Sequence, residues 1–246
     1  MITQPSHATT SGSGTGLYWL DASRLARIID YVESQSTPEL LSAVLGVDNS
    51  AAAEASRFLL RHCSFDHVGI LLFPTDISEM PKTLIRNGFE LEDTMASTIV
   101  QRRVCDRYGI RPADLRIHIH HFTRPASGAQ RPMRTEIFFP SHDSTPSAIG
   151  RMMRADERKH NREAHFAFRV DGDDEAFAML WRFLTGPGAM RPDGGGYNPN
   201  HEGGGCSTFY FASDSVPFSP WPRRLELIRG GYHPPIEHVD PQRIPT

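Results

Sequence analysis

The sequence is poor in cysteine. Three occur in 246 residues, Cys63, Cys105 and Cys206, an odd number and none in CxxC spacing. That pattern excludes a disulfide framework and a thiolate zinc site, and it fits a reducing cytosol. No apolar run approaches the roughly 20 residues of a membrane span. The opening stretch MITQPSHATTSGSGTG lacks a basic segment followed by an apolar one, so it does not read as a secretion signal. Charge of one sign is not in excess either. The net charge is -3 with His neutral, which calls for neither nucleic acid nor an anionic membrane as partner. The expectation is a cytoplasmic protein, monomer or homodimer, acting on a small molecule.

What is present is histidine: 12 residues, a high count for the residue that most often ligates metals and moves protons. Hydrophobic residues make up 39% and charged residues 22%, a globular composition. Residues 1–16 are rich in Ser, Thr and Gly and read as a disordered tail. Residues 17–63 read as a helical N-terminal extension. One helix is predicted from an N-cap at Asp21, and a second from Thr37-Pro38, with an Ala-rich run after Ala51.

From Phe65 the pattern changes. FDHVGILLF reads as a buried strand, 76–87 as a helix, and 89–91 and 96–100 as short extended pieces. Residues 104–108 read as a helical insertion. LRIHIHHF (115–122) and RTEIFFP (134–140) read as strands. After a polar connector (141–163) the order recurs: strand AHFAFRV, a helix over 173–183, a long Gly-rich loop over 186–205, then strands CSTFYFA and RRLELIRG. The chain thus reads twice as strand, helix, three strands, over 64–140 and 164–232, with 233–246 as a C-terminal tail. A repeat outranks local propensity as evidence of architecture.

Each copy has a His on its first strand, His67 and His165, and a Glu on its last, Glu136 and Glu226. Alternation along the strands flanks all four with apolar residues, so that the polar side chain points to the opposite face. A buried carboxylate needs a partner. One divalent metal ion is the simplest partner for two Glu and two His, with Fe, Ni, Mn, Co and Zn all compatible.

These residues and the repeat resemble the vicinal oxygen chelate superfamily, which includes glyoxalase I, methylmalonyl-CoA epimerase, bleomycin- and fosfomycin-resistance proteins and extradiol dioxygenases. FDHVGILL is similar to the opening strand of that family and RLELIRGG to its closing strand. The resemblance implies an α+β fold of two paired βαβββ modules, forming a curved cup-like mixed sheet around a metal held by His67, Glu136, His165 and Glu226. It further implies proton transfer of the glyoxalase or epimerase kind, an isomerase or lyase outcome, with Glu136 or Glu226 as base. Two alternatives share the scaffold. One is an Fe(II) dioxygenase of catechol-like substrates. The other is a binding or resistance protein that sequesters a small molecule.

Other residues are singled out less specifically. His118 and His120 form an HxH pair that, facing the cup, would shuttle protons; the alternative is a structural strand face. Tyr197, Asn198, His201 and Glu202 sit in the Gly-rich loop, where they would close over a substrate; a plain mobile loop is the competing reading. Arg169 shares parity with His165 and would meet a substrate carboxylate, or else make a surface ion pair. Cys206 reads as an inert buried thiol, and Phe177 and Trp181 as core.

Overall fold

A computed structural model describes residues 16–45, 57, 61–125, 132–141, 147–186, 190–198, 205–213 and 224–233. The elements in chain order are α1 (Trp19–Ser34), α2 (Thr37–Leu45), β1 (Cys63–Leu71), α3 (Glu79–Arg86), β2 (Glu90–Ala96), α4 (Thr98–Tyr108), a 3-10 turn (Pro112–Asp114), β3 (Ile117–Arg124), β4 (Met133–Pro140), α5 (Ser147–His160), β5 (His165–Val170), α6 (Asp174–Thr185), β6 (Met190–Asn198), β7 (Cys206–Ser213) and β8 (Arg224–Gly230). The strands form one mixed eight-stranded sheet in the order β2-β3-β4-β1-β5-β8-β7-β6. Each half is a βαβββ unit whose first strand pairs parallel with its last. The halves join through the antiparallel pair β1–β5. The paired-module α+β architecture implied by the resemblance is therefore the one observed.

Local sequence accounts for the elements and for several departures from expectation. Asp173 caps α6 by accepting from the Ala176 amide at 2.9 Å, satisfying a helix donor that otherwise has no partner. Ser36 and Glu39 close the start of α2, the Glu39 carboxylate accepting from the Ser36 amide at 2.7 Å. Helix α4 ends at Gly109, whose φ of 63° suits a residue without Cβ. Asp21 is not the cap of α1. The helix starts two residues earlier, and Asp21 is fully buried inside it, paired with Arg24 at 3.0 Å and Arg158. The insertion predicted over 104–108 is longer: helix begins at Thr98, so 98–100 are not extended. The Gly-rich stretch predicted as a loop contains the missing strand of the second half, β6. The Ala-rich run and residues 1–15 lie outside the described residues, apart from Arg57, Arg61 and His62 within that run.

The sheet divides the interior. On one face Val68, Ile70, Ile137, Phe166, Phe168, Leu225 and Leu227 join residues of α1, α2, α3 and α6 in the larger core. On the other, Leu71, Ile117, Ile119 and Phe138 pack with Val100, Val104 and Cys105 of α4 and Met153 of α5. Stacking helices on both faces removes the apolar stripes of strand and helix from water together. The rest of that second face is polar, and it carries the site. No helix among the described residues is long and apolar enough to cross a membrane.

Candidate metal centre

The register places the four residues in two related pairs. His67 stands opposite Ala167, and His165 stands opposite Gly69, so each His faces the small residue two places beyond the other His. Glu136 is the strand neighbour of Gly69, and Glu226 is that of Ala167. An approximate two-fold axis between β1 and β5 thus exchanges the pairs. The close approach needs a glycine: a Cβ built on Gly69 would lie 2.1 Å from His165 Cε1 and 2.4 Å from Nε2. Gly69 is where the sequence makes room for the second imidazole.

The ligand atoms of His67, Glu136, His165 and Glu226 all lie within 4.8 Å of one another. His67 Nε2 is 3.3 Å from Glu136 Oε2 and 3.5 Å from Glu226 Oε2; His165 Nε2 is 2.9 Å from Glu226 Oε2. The far nitrogen of each ring is engaged. His67 Nδ1–H donates to Asp66 at 2.9 Å, and His165 Nδ1–H donates to the Glu163 carbonyl oxygen at 3.0 Å. That arrangement turns both Nε2 lone pairs inward, as in metal sites whose imidazoles are oriented by an outer acceptor. Three of the converging atoms, His67 Nε2, His165 Nε2 and Glu226 Oε2, are buried and make no hydrogen bond. Unsatisfied buried acceptors are costly, and a divalent cation satisfies all of them at once. The donor set therefore fits a metal ion.

Electrostatics agree. Burial works to raise the Glu226 carboxyl, but His67 and His165 outweigh it and hold it at about 2. Burial also opposes ionisation of Glu136, yet His67 and His121 keep it well below the usual carboxylate range. His67 is the converse: burial lowers it, and Glu136, Glu226 and Asp66 together draw it well above an ordinary imidazole. The cluster calls for positive charge at its centre.

A cavity of about 1080 Å³ opens on the cluster, bounded by β2 and α4 on one side and β6 on the other. Arg169, Tyr197 and Asn198 line it, and Arg169 also donates to Asp66 at 2.9 Å, the ion pair of its alternative reading. His201 and Glu202 lie outside the described residues. His118 and His120 are not brought to the cluster. Strand alternation puts them on the opposite face, where the His120 ring lies tilted 4.4 Å from that of Phe139 and contacts Thr94 through Nδ1 at 2.6 Å. Burial, with His118 and His121 adding to it, lowers His120 to about 4, so it is a neutral packed ring. The cavity receives His121 instead. Its Nε2 lies 3.2 Å from Glu136 Oε1, and its Nδ1 contacts Asp93. Tyr210 occupies the other side as the cross-strand neighbour of Glu226, its ring beneath the Arg103 guanidinium at 4.1 Å. His121, Tyr210, Asp66 and Gly69 escaped the sequence reading. The registers Glu136↔His121 and Glu226↔Tyr210 find the first two, but only once the strands are paired. The small residue two places after each His was a signal present in the sequence for Gly69.

Comparison with known proteins gives little. No protein-family model matches the chain, and no curated protein matches it in sequence. A crystal structure of methylmalonyl-CoA epimerase is similar at 17% identity, covering 68% of this chain and 95% of that one, with a TM-score of 0.38.

Proposed function

We propose that the chain is a metal-dependent enzyme of the vicinal oxygen chelate type that moves a proton on the carbon beside a carbonyl of a small oxygenated substrate. The observation that carries this reading is the position of Glu136. It belongs to the ligand cluster, lines the cavity, and has His121 Nε2 behind it, 3.2 Å from its Oε1. Its side chain is 17% exposed, against 5% for Glu226.

A divalent ion held by His67, His165 and Glu226, with Glu136 alongside, would supply Lewis-acid polarisation of a carbonyl and so acidify the adjacent C–H. Glu136 is the base: it reaches the cavity, and the charge it loses on taking a proton is balanced against His121 and Asp93. Glu226, sealed beneath Tyr210, stays a holding residue. Arg169, Tyr197 and Asn198 orient the substrate from the cavity wall. Isomerase and lyase outcomes both follow from this proton step.

The test begins with elemental analysis of the purified protein, expected to give one divalent metal per chain. Saturated with that metal, the protein should exchange the α-proton of small vicinal-oxygen compounds for solvent deuterium, followed by NMR. Glu136→Gln should lower metal occupancy and, at saturating metal, slow exchange by about 10²–10⁴, the usual contribution of a general base. Oxygen uptake with catechols, or exchange untouched in Glu136→Gln, overturns the reading in favour of an iron dioxygenase or another base. A protein that neither binds metal nor gains stability from it is a binding protein instead.

A further inference from the structure

The cavity over the centre has two unlike ends, and the sheet sorts them. Arg134, Glu136 and Phe138 share one face of β4, and all three line the cavity. Arg134 stands level with His67, Glu136 with Gly69 and Phe138 with Leu71. Arg134 and Phe138 are therefore about 13 Å apart along the strand, with the ligand carboxylate midway.

Charge gathers at the Arg134 end. Arg169 of β5 lies at the same end, opposite Ser64 and beyond His67. The two guanidiniums flank Asp66. Arg169 Nη2 donates to it at 2.9 Å, and Arg134 Nη1 stands 3.9 Å from it. Arg134 Nη2 donates to Glu92 at 3.2 Å. Each guanidinium thus donates to one carboxylate among the described residues, and the side chains stay 41% and 35% exposed. Arginine carries five N–H donors, so most of them on each side chain are left to solvent. The other arginines near the centre are committed elsewhere. Buried Glu163 takes Arg103 at 2.8 Å, Arg107 at 2.7 Å and Arg224 at 3.5 Å.

The opposite end is apolar. Ile119 is the cross-strand neighbour of Phe138, and Met95 is that of Ile119. All three line the cavity, and Met95 is exposed there. Ile99 of α4 closes this end against β6, so tightly that a Cβ on Gly196 would lie 2.9 Å from Ile99 Cδ1. Water against such a surface is released with gain when an apolar group replaces it.

We infer that the substrate is a monocarboxylate with an apolar group at its other end. The carboxylate lies between Arg134 and Arg169, the vicinal oxygens lie at the metal centre, and the apolar group lies against Phe138, Ile119 and Met95. The middle part rests on the function proposed above; the two ends do not. A planar carboxylate matches the fork of a guanidinium. A phosphate dianion suits this end less well, because Asp66 and Glu92 already stand against the same two arginines. The carbon that gives up its proton is then the one over Glu136, between the two ends.

Titration calorimetry of the full chain with saturating Ni²⁺ present compares three compounds. The first, 3-hydroxy-4-oxo-4-phenylbutanoate, has all three parts. The second, 2-hydroxy-1-phenylbutan-1-one, has methyl in place of the carboxylate. The third, 3-hydroxy-4-oxopentanoate, has methyl in place of phenyl. The first should bind about tenfold more tightly than either of the others. In Arg134→Gln/Arg169→Gln the preference for the acid over the neutral ketone should vanish. In Met95→Asn, a change at an exposed position, the preference for phenyl over methyl should fall at least threefold. Equal binding of acid and ketone by wild type, or an acid preference that survives the double variant, overturns the carboxylate end. Equal binding of phenyl and methyl compounds, or a phenyl preference untouched in Met95→Asn, overturns the apolar end. Both preferences without exchange of the α-proton of the first compound overturn the function proposed above and leave the two ends standing.

Discussion

Replacing Gly69 by alanine tests the centre through a single methyl group. The new Cβ would meet His165 Cε1 at 2.1 Å, where ordinary contact begins at 3.4 Å. Something must therefore move by about 1.3 Å, taking the difference of those two distances. The strand cannot move readily, because Gly69 is held in register by Glu136 on one side and His165 on the other. The imidazole is fully buried between Phe138, Tyr210 and His67, so it has no empty side to move into. Metal–ligand distances tolerate about 0.2 Å, and a displacement several times larger removes His165 from the shell. The expected loss is about 100-fold in metal affinity or more, about 3 kcal/mol. Overpacking adds about 1–3 kcal/mol of destabilisation in the metal-free protein, and each kcal/mol lowers Tm by roughly 2–4 °C at this chain length. Titration calorimetry with Ni²⁺ and thermal melts with and without metal read both quantities. Gly230→Ala is the control, since nothing lies within 4 Å of a Cβ built there. A G69A protein that binds metal within threefold of wild type refutes the packing of His165 over Gly69, and with it the geometry of the centre.

Four further outcomes are expected. Glu163→Gln should destabilise the fold by about 3–5 kcal/mol in urea titrations, because it leaves three guanidiniums without their buried counter-charge; a cost under 1 kcal/mol would show the network to be dispensable. The same carboxyl sits at about 2 in the folded protein, below its ordinary 4.5, where the three arginines overcome its burial. Its stabilisation is therefore complete above the unfolded value and lost as pH falls from about 4.5 towards 2, so the acid limb of a stability–pH profile should flatten in Glu163→Gln. Asp66→Asn should weaken metal binding by about 10–100-fold with the fold intact, since Asp66 orients His67 without touching the ligand atoms; unchanged affinity argues against that role. Finally, burial pushes the Cys63 thiol up to about 12 and Cys206 to about 11, so neither should react with a thiol reagent at neutral pH until the protein unfolds, and fast native labelling would contradict their packing.

The repeat and the four converging residues were legible because both depend on short-range pattern. Alternation in DHVGILL or RLELI puts one polar side chain among apolar neighbours without reference to any other strand. What needed the pairing was not legible. His118, His120 and His121 sit on one strand, and parity alone separates them into two faces without saying which face is the cup. The register His121↔Glu136 decides it. Strand β6 hid because MRPDGGGYN has almost no strand propensity; it holds its place by pairing with β7. The Glu163 network hid because its partners are distant in sequence, with Arg103 60 positions before it and Arg224 on the last strand.

The two-fold relation between the halves makes His121 the counterpart of Tyr210. Each is the cross-strand neighbour of its own half's Glu. A symmetrical scaffold would give two interchangeable carboxylates, and interchangeable carboxylates cannot divide labour. Here one Glu is backed by an imidazole already in contact with Asp93, and the other by a phenol that burial and Glu226 push well above its usual ionisation. The two carboxylates thus sit at equivalent places with unlike neighbours, and the proposed division between base and holding residue rests on that difference.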